Sequence, residues 1–243
     1  MLAYTAVIPA FNAERTIEDC LNSVLGQGCL PREIIVVDDG SNDRTVAIVD
    51  AVASRGSPAP IRLLQQPNQG PGRATSVGIR AAGSPVIATL DADDLWLPQK
   101  MERQLAILTN QATVALVGSW SRQFHHDQPD DGRGECRPGL LRSTISFRRD
   151  VFDMVGEIVD PPGRCGEMVD WLARLREQGH VVVEIEEVLT LRRITPGSLT
   201  HQRQEVQAMG FLAVAHRAML RRRQALGLAP TTMQAPPDRG PDC

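Results

Sequence analysis

Two hydrophobic periods alternate along the first half of the chain. Short apolar runs rich in Val and Ile, typical of buried strands, occur at residues 4–8, 33–37, 61–64, 86–90 and 114–118. Stretches with apolar residues at helical spacing separate them, at residues 14–25, 45–53, 71–82 and 98–108. Alternating strands and helices predict an α/β fold, with a mostly parallel, open sheet flanked by helices in right-handed crossovers.

The second half of the chain is less regular. We predict an apolar run at residues 143–147, a strand at 181–185 and helices at 149–155, 166–178 and 205–226. The pattern divides the chain into a domain over residues 1–204, an amphipathic helix over 205–228 that packs on or near it, and a disordered tail over 229–243. The tail is rich in Pro and poor in the apolar residues that a folded segment buries.

Composition and charge exclude several classes of protein. The 243 residues are 42% hydrophobic and 23% charged, which suits a globular protein with a sizeable core. A net charge of -3 favours no nucleic acid partner. Five cysteines without a CxxC pair indicate neither a disulfide framework nor a zinc site. No apolar stretch approaches the ~18 residues of a membrane span, and the first dozen residues fit a strand better than a leader, so we expect a soluble, cytoplasmic protein.

Acidic residues follow the fourth apolar run, in the sequence LDADDLWLP at residues 90–98. Asp91 and Asp93 are two positions apart, so in an extended segment their side chains leave the same side. Such carboxylates repel each other unless a cation lies between them, and Mg²⁺ or Mn²⁺ suits an all-oxygen site. A solvated turn that caps the next helix is the alternative. A calcium loop is excluded, because Leu95 and Trp96 stand at its fifth and sixth positions.

A second acidic pair, Asp38 and Asp39, ends the second apolar run. Open parallel sheets bind ligands beyond the carboxyl ends of their strands. A carboxylate at that place accepts a hydrogen bond from a nucleobase N–H or a ribose hydroxyl. The alternative is a turn whose polar residues, Asp43 among them, only cap the following helix.

The sequence NQGPGRA follows the third apolar run and opens a predicted helix. Gly70 and Gly72 allow close approach of the backbone to a phosphate, which the free N–H groups of the helix would bind. The spacing matches neither a Walker loop nor a dinucleotide fingerprint. Alone, the motif is a weak indication of phosphate binding.

Four segments together carry a family resemblance. They are AVIPAFNAERTIEDCLNSVLGQ, EIIVVDDGSNDRT, NQGPGRATSVGIRAAGSPVIATLDADDLWLPQKM and GEMVDWLARLREQG. In order and spacing they resemble the family 2 glycosyltransferases with the GT-A fold, over residues 3–200. The resemblance implies a GT-A-like α/β fold, a nucleotide-sugar donor such as a UDP-sugar, and Mn²⁺ or Mg²⁺ as the metal.

The resemblance also implies roles for residues of this chain. The nucleotide-sugar contacts that it implies are Pro9, Phe11, Asp38, Asp39, Gly70, Arg73, Asp91 and Ala92. Asp93, with Asp91, would hold the metal, which neutralises the charge growing on the departing nucleoside diphosphate. An acidic residue would take the proton from the acceptor hydroxyl, and one displacement would invert the anomeric carbon.

The residue that takes this proton is left open between Glu167 and Asp170. The family often has Glu-Asp at the start of this helix, whereas this chain has Met168 after Glu167. We favour Glu167, because its longer side chain reaches the acceptor from the start of the helix. Asp170 lies on the same helix face, and its alternative role is an ion pair with Arg174 one turn ahead.

Further departures concern Thr75-Ser76, where the family commonly has Arg-Asn, and Thr195, where it often has His. We therefore predict a metal-dependent, inverting glycosyltransferase and keep as the alternative a weakened or inactive homologue that binds a nucleotide-sugar or a partner without turnover. The acceptor is open among a glycan, a lipid-linked precursor, a peptide and a small molecule. Arginines and apolar residues on the C-terminal helix are compatible with peripheral membrane binding or self-association.

Overall fold

The computed structural model describes residues 2–126, 128–161, 166–195 and 204–226. Its strands are β1 (Tyr4–Ala10), β2 (Glu33–Asp38), β3 (Ile61–Gln65), β4 (Val86–Thr89), β5 (Leu95–Trp96), β6 (Val114–His125), β7 (Cys136–Arg137), β8 (Ser146–Arg148) and β9 (Val181–Ile194). Its helices are α1 (Ile17–Leu25), α2 (Thr45–Ser54), α3 (Pro71–Ala81), α4 (Lys100–Asn110), α5 (Arg149–Val155), α6 (Glu167–Glu177) and α7 (Gln204–Ala225). A short 3-10 turn, Arg142–Thr144, precedes β8.

The described strands form one sheet in the order β3-β2-β1-β4-β8-β6-β9-β5, with β7 paired to β6. The first four strands of this order are parallel. Strand β8 is antiparallel to both of its neighbours, while β6 and β9 run parallel and β5 is antiparallel to β9. The predicted α/β fold is confirmed, and the sheet is parallel in its first half and mixed in its second.

Each face of the sheet is covered by helices, and the strand residues alternate between two cores. On β1, Ile8 faces the core formed with α1, α2 and α4, whereas Val7 faces the core formed with α3, α5 and α6. On β2, Val36 and Ile35 divide in the same way. All four side chains are fully buried, which explains why these strands are continuous apolar runs and not alternating ones.

Strands β6 and β9 are longer than the sequence pattern predicts. Apolar runs end at residues 118 and 185, but the strands continue to His125 and Ile194 as a parallel pair. The extensions carry polar and charged residues, because each strand obtains its hydrogen bonds from the other and needs only part of its side chains in the core. The connection between β6 and β8 contains the short strand β7, Cys136–Arg137.

Helix α3 lies unusually close to the sheet. A side chain at Gly78 would place its Cβ 2.4 Å from Cγ1 of Val7 and 3.1 Å from Cγ2 of Val37. The missing side chain therefore lets the helix rest directly on β1 and β2. This contact fixes the start of α3 beside the carboxyl ends of both strands.

Helix α7 packs against α6 through ion pairs. Arg221 Nη1 lies 2.9 Å from Asp170 Oδ1, and Arg221 Nε lies 2.8 Å from Glu177 Oε2. The division between a domain at 1–204 and a separate terminal helix stays a prediction, and the predicted tail lies outside the described residues. Across the described ranges, the helices are too short or too polar to cross a membrane.

Candidate active site

The loops after β1 and β2 are joined at the carboxyl edge of the sheet. Asn12, with a positive φ of 49°, donates from its backbone N to Ser41 Oγ at 2.9 Å, and its side-chain oxygen accepts from Asn42 N at 2.9 Å. Pro9 is buried in β1, whereas the ring of Phe11 is 49% exposed. The arrangement presents an aromatic ring beside the end of β2, where a flat ligand could stack.

The two aspartates after β2 have different surroundings. Asp39 is buried and accepts from Gln66 Nε2 at 2.7 Å and from the backbone N of Gln69 and of Gly70 at 2.8 Å each. It therefore organises the turn that leads into α3. Asp38 Oδ2 accepts from the backbone N of Ser41, but its buried Oδ1 has no hydrogen-bond partner among the described residues. An unsatisfied carboxylate oxygen at this depth is costly without a ligand.

The start of α3, where the sequence predicts a phosphate cradle, is filled by a carboxylate of the chain itself. Asp160 accepts from the backbone N of Gly72 and of Arg73 at 3.0 Å each. A Cβ at Gly70 would lie 2.8 Å from Asp160 Oδ2, so the glycines admit this side chain. Arg73 points to Glu157, 2.9 Å away. The helix amides bind the Asp160 carboxylate, and the predicted phosphate contact stays a prediction.

The departure at Thr75-Ser76 has a structural explanation. Ser76 Oγ accepts from the backbone N of Ile158 at 3.0 Å, and Thr75 Oγ1 donates to the carbonyl of Pro71 at 2.6 Å. Both side chains are fully buried. Ser76 thus holds the segment before α6 against α3, while Thr75 bonds within α3.

The acidic loop after β4 is held rigidly by its fourth residue. Buried Asp94 accepts from Ser143 Oγ at 2.6 Å and from the backbone N of Arg193 at 2.9 Å. Ser143 Oγ also accepts from the backbone N of Asp91 at 3.1 Å. Ala92 is 7% exposed. Asp94 therefore has a structural role, which leaves Asp91 and Asp93 as the available acids.

Asp93 is half-buried, and its carboxylate has an unusual affinity for protons. Burial, together with the negative charge of Asp91, raises the pKa of Asp93 to about 6. Arg192 and Arg193 oppose this shift. A cation bound beside Asp93 would stabilise its charged form.

Arg142 is a site residue that the sequence analysis missed. Its guanidinium is 7% exposed, and Nη1 and Nη2 donate to Asp91 Oδ1 and Glu167 Oε1. Burial alone would lower the pKa of Arg142, but the two carboxylates more than offset this and raise it. The available sequence signal was an arginine directly before the apolar run at residues 143–147.

Glu167 and Asp170 point to different partners, although both lie in the first turn of α6. Burial raises the pKa of Glu167, and Arg142 acts against this shift. The Asp170 side chain is 5% exposed and pairs with Arg174 Nε at 3.1 Å and with Arg221 Nη1 at 2.9 Å. The structure thus brings Glu167 to the acidic loop and directs Asp170 toward α7. Its expected alternative pairing with Arg174 is observed.

Strand β9 ends beside the acidic loop. Arg193 Nε donates to the carbonyl of Asp93 at 2.9 Å, and its guanidinium lies 4.7 Å from the ring centre of Phe124. Its Nη2 is 3.3 Å from Asp19 Oδ2. Arg193 is therefore engaged in holding the loop. Residues 196–203, which include the histidine nearest to Thr195, lie outside the described residues.

Comparison with known proteins identifies a family. The model of Glycosyl transferase family 2 matches residues 5–156. The uncharacterized glycosyltransferase EpsJ of Bacillus subtilis is 29% identical over 216 residues, which are 80% of this chain and 62% of EpsJ. The chain thus spans less than two thirds of that relative.

Solved structures show the same fold at low sequence identity. The mannosyltransferase PcManGT of Pyrobaculum calidifontis, in complex with GDP-Man and Mn²⁺, has a TM-score of 0.70 at 19% identity, over 90% of this chain and 64% of PcManGT. S. aureus TarS 1-349, in complex with UDP-GlcNAc, has a TM-score of 0.68 at 18% identity, over 92% of this chain and 73% of that one. These likenesses confirm the GT-A-like architecture.

Proposed function

Because the chain belongs to glycosyl transferase family 2, we propose that it moves a sugar from a nucleotide-diphosphate donor, a UDP-sugar first among the candidates, to an acceptor hydroxyl with inversion at the anomeric carbon. One observation carries the proposal. Asp91, in the acidic loop that also carries Asp93, and Glu167, which is distant from it in sequence, both pair with a single buried arginine, Arg142. The edge offers a place for a charged donor and a base beside it.

Asp91 and Asp93 fit a divalent ion such as Mn²⁺ or Mg²⁺. Burial and the charge of Asp91 raise the pKa of Asp93, and a bound cation would oppose this shift by stabilising the charged carboxylate. Within the described ranges no cluster of three or more acidic, His or Cys side chains could hold a metal alone, and these ions commonly bind one or two carboxylates and complete their shell with substrate phosphates. The ion would supply positive charge for the leaving diphosphate. The solved structure of PcManGT is a complex with GDP-Man and Mn²⁺.

The nucleoside would lie against the ends of β1 and β2. Phe11 offers a half-exposed ring for stacking, and Asp38 offers an unsatisfied oxygen for an N–H or hydroxyl donor. Asp39 supports this pocket indirectly by shaping the turn at Gly70. Since Asp160 and Glu157 occupy the α3 amides and Arg73, we place the diphosphate on the acidic loop and away from the start of α3.

Glu167 is our candidate for the base. Burial makes its carboxylate more basic than usual, which favours removal of a proton from the acceptor hydroxyl. The 12% exposure of its side chain leaves a limited approach for that hydroxyl. Asp170 is held by two arginines on the α7 side and supports the helix that carries Glu167.

A donor screen tests the proposal. UDP-, GDP- and dTDP-sugars, each with Mn²⁺, are compared by the shift in thermal unfolding temperature, and the stabilising donor is then assayed for nucleoside diphosphate release. We expect Glu167→Gln to lower kcat about 10²-fold or more without weakening donor binding. Asp170→Asn is the matched variant: if it abolishes turnover while Glu167→Gln does not, Asp170 is the base. Stabilisation by no donor contradicts the proposal, and binding without turnover favours the inactive homologue.

The outer face of α7 suggests where the acceptor is encountered. Leu212, Met219 and Leu226 recur every seven residues and are 71%, 49% and 73% exposed. Arg222 is exposed nearby, and no Asp or Glu occurs in residues 206–226. An apolar face flanked by arginines fits an anionic membrane surface. We propose peripheral membrane binding through α7, which favours a lipid-linked precursor among the possible acceptors; the compartment stays a prediction.

A further inference from the structure

The buried guanidinium of Arg142 joins two parts of the candidate site that come from different elements. Asp91 ends β4, and Glu167 begins α6. Arg142 donates to one oxygen of each through separate nitrogens. The planar fork of an arginine fixes the directions of both carboxylates at once, which a lysine ammonium cannot do.

The backbone around Arg142 is anchored from several sides. Thr89 Oγ1 donates to the carbonyl of Arg142 at 2.6 Å. The carbonyl of Ser143 accepts from Trp96 Nε1 at 2.9 Å and from Thr190 Oγ1 at 3.2 Å. Three strands, β4, β5 and β9, thus hold one short turn. The guanidinium therefore has a fixed position and does not readily shift with a bound substrate.

A direct contact of Arg142 with the donor is the competing explanation. Both terminal nitrogens already bind carboxylates, and the buried Nε, which has no hydrogen-bond partner among the described residues, is shielded from solvent. With a side chain only 7% exposed, Arg142 offers little surface to a phosphate. An indirect role needs no such rearrangement.

We propose that Arg142 is a positioning residue, which orients Glu167 toward the acidic loop so that the base meets the acceptor beside the bound donor. The inference rests on the proposed function, because it takes Glu167 as the base. The charged groups near Glu167 are Arg142, Asp160 and Asp91. Of these only Arg142 is positive, so its removal leaves Glu167 buried among like charges.

A double-mutant cycle on kcat separates the two explanations. Wild type, Arg142→Met, Glu167→Gln and the double variant are assayed for nucleoside diphosphate release from the donor that the screen selects. We expect Arg142→Met to lower kcat about 10²-fold in the wild-type background and to have little effect in the Glu167→Gln background. Equal losses in both backgrounds, or a loss confined to donor KM, would overturn the proposal in favour of direct donor contact.

Two further readouts exclude a purely structural role. In Arg142→Met, the acidic limb of the pH profile of kcat/KM should move to higher pH, because Glu167 loses the cation that it contacts. Arg142→Lys keeps the charge but not the fork, so it should restore the unfolding midpoint more fully than kcat. If the pH profile of Arg142→Met does not move, or if Arg142→Lys recovers stability and kcat to the same extent, the role of Arg142 is purely structural.

Failure of the proposed function gives a different pattern. If the wild type releases no nucleoside diphosphate from any donor, the proposed activity has failed, and the cycle is then read by urea unfolding. Arg142→Met should lower the midpoint more in the wild-type background, where it leaves both Asp91 and Glu167 without their arginine, than beside Glu167→Gln, where only Asp91 loses it. Equal shifts in both backgrounds would show that Arg142 does not hold Glu167.

Discussion

Lys100, the only lysine of the chain, is the least expected buried side chain. It is fully buried beneath the acidic loop, with Nζ 2.8 Å from Gln104 Oε1 and 4.3 Å from the centre of the Trp96 ring. No carboxylate is among these contacts. Burial therefore lowers the pKa of Lys100 well below its usual value, so folding releases a proton at pH values between the lowered and the usual pKa.

This proton release predicts a pH dependence of stability. The unfolded state holds more protons than the native state between the lowered native pKa and about 10.4, so the free energy of unfolding rises with pH in that window. Relative to Lys100→Met, the wild type should gain up to about 1.4 kcal/mol per pH unit. Urea unfolding between pH 7 and 9 measures this difference. Arg103→Met, at an exposed position of α4, is the control and should leave the slope unchanged.

At the residue scale, the sequence predicts chemistry that depends on neighbours along the chain. Asp91 and Asp93 could be singled out because their spacing of two positions places both side chains on the same side of an extended segment. Arg142 could not, since it meets Asp91 and Glu167 across 51 and 25 positions of sequence. An arginine beside an apolar run has many possible partners until the sheet order is known.

At the scale of elements, α3 depends on a cap from outside itself. Asp160, 88 positions away from Gly72 in sequence, supplies the anion that its first amides bind. The pattern NQGPGRA predicts a phosphate-binding helix start, but the pattern alone cannot show that a carboxylate of the chain binds the same amides. The predicted lengths of β6 and β9 were too short for a similar reason, because the two strands pair with each other beyond their apolar runs.

The cap gives a prediction for α3. Asp160→Ala should lower the free energy of unfolding by about 1–2 kcal/mol, since two buried amides lose a charged acceptor. Added sulfate should recover part of this loss by binding the freed amides. Urea unfolding with and without sulfate measures both effects. Asp150→Ala, an exposed acid in the first turn of α5, should cost little; an equal loss would show that the Asp160 contacts are not specific.

At the scale of the whole molecule, α7 turns one face to the domain and another to its surroundings. Arg221 faces α6, while Leu212 and Leu226 face outward. We expect the protein to float with vesicles that contain phosphatidylglycerol but not with phosphatidylcholine alone, and to be released by salt. Flotation assays on sucrose gradients measure this.

Leu212→Asp should abolish vesicle binding, whereas Leu30→Asp, at an exposed leucine outside α7, should not. Binding that survives Leu212→Asp would contradict the assignment of this face. The alternative outcome is that the wild type binds no vesicles and that its mass by light scattering rises with protein concentration. If Leu212→Asp removes this rise, α7 joins two copies of the chain.

Because its single lysine is buried, the chain can also report its own unfolding. A reagent that acylates primary amines finds no lysine on the folded surface. Mass spectrometry of the peptide that contains position 100 therefore detects modification only in molecules that have unfolded around this side chain. Partial unfolding in a crowded lysate can thus be followed with no engineered label.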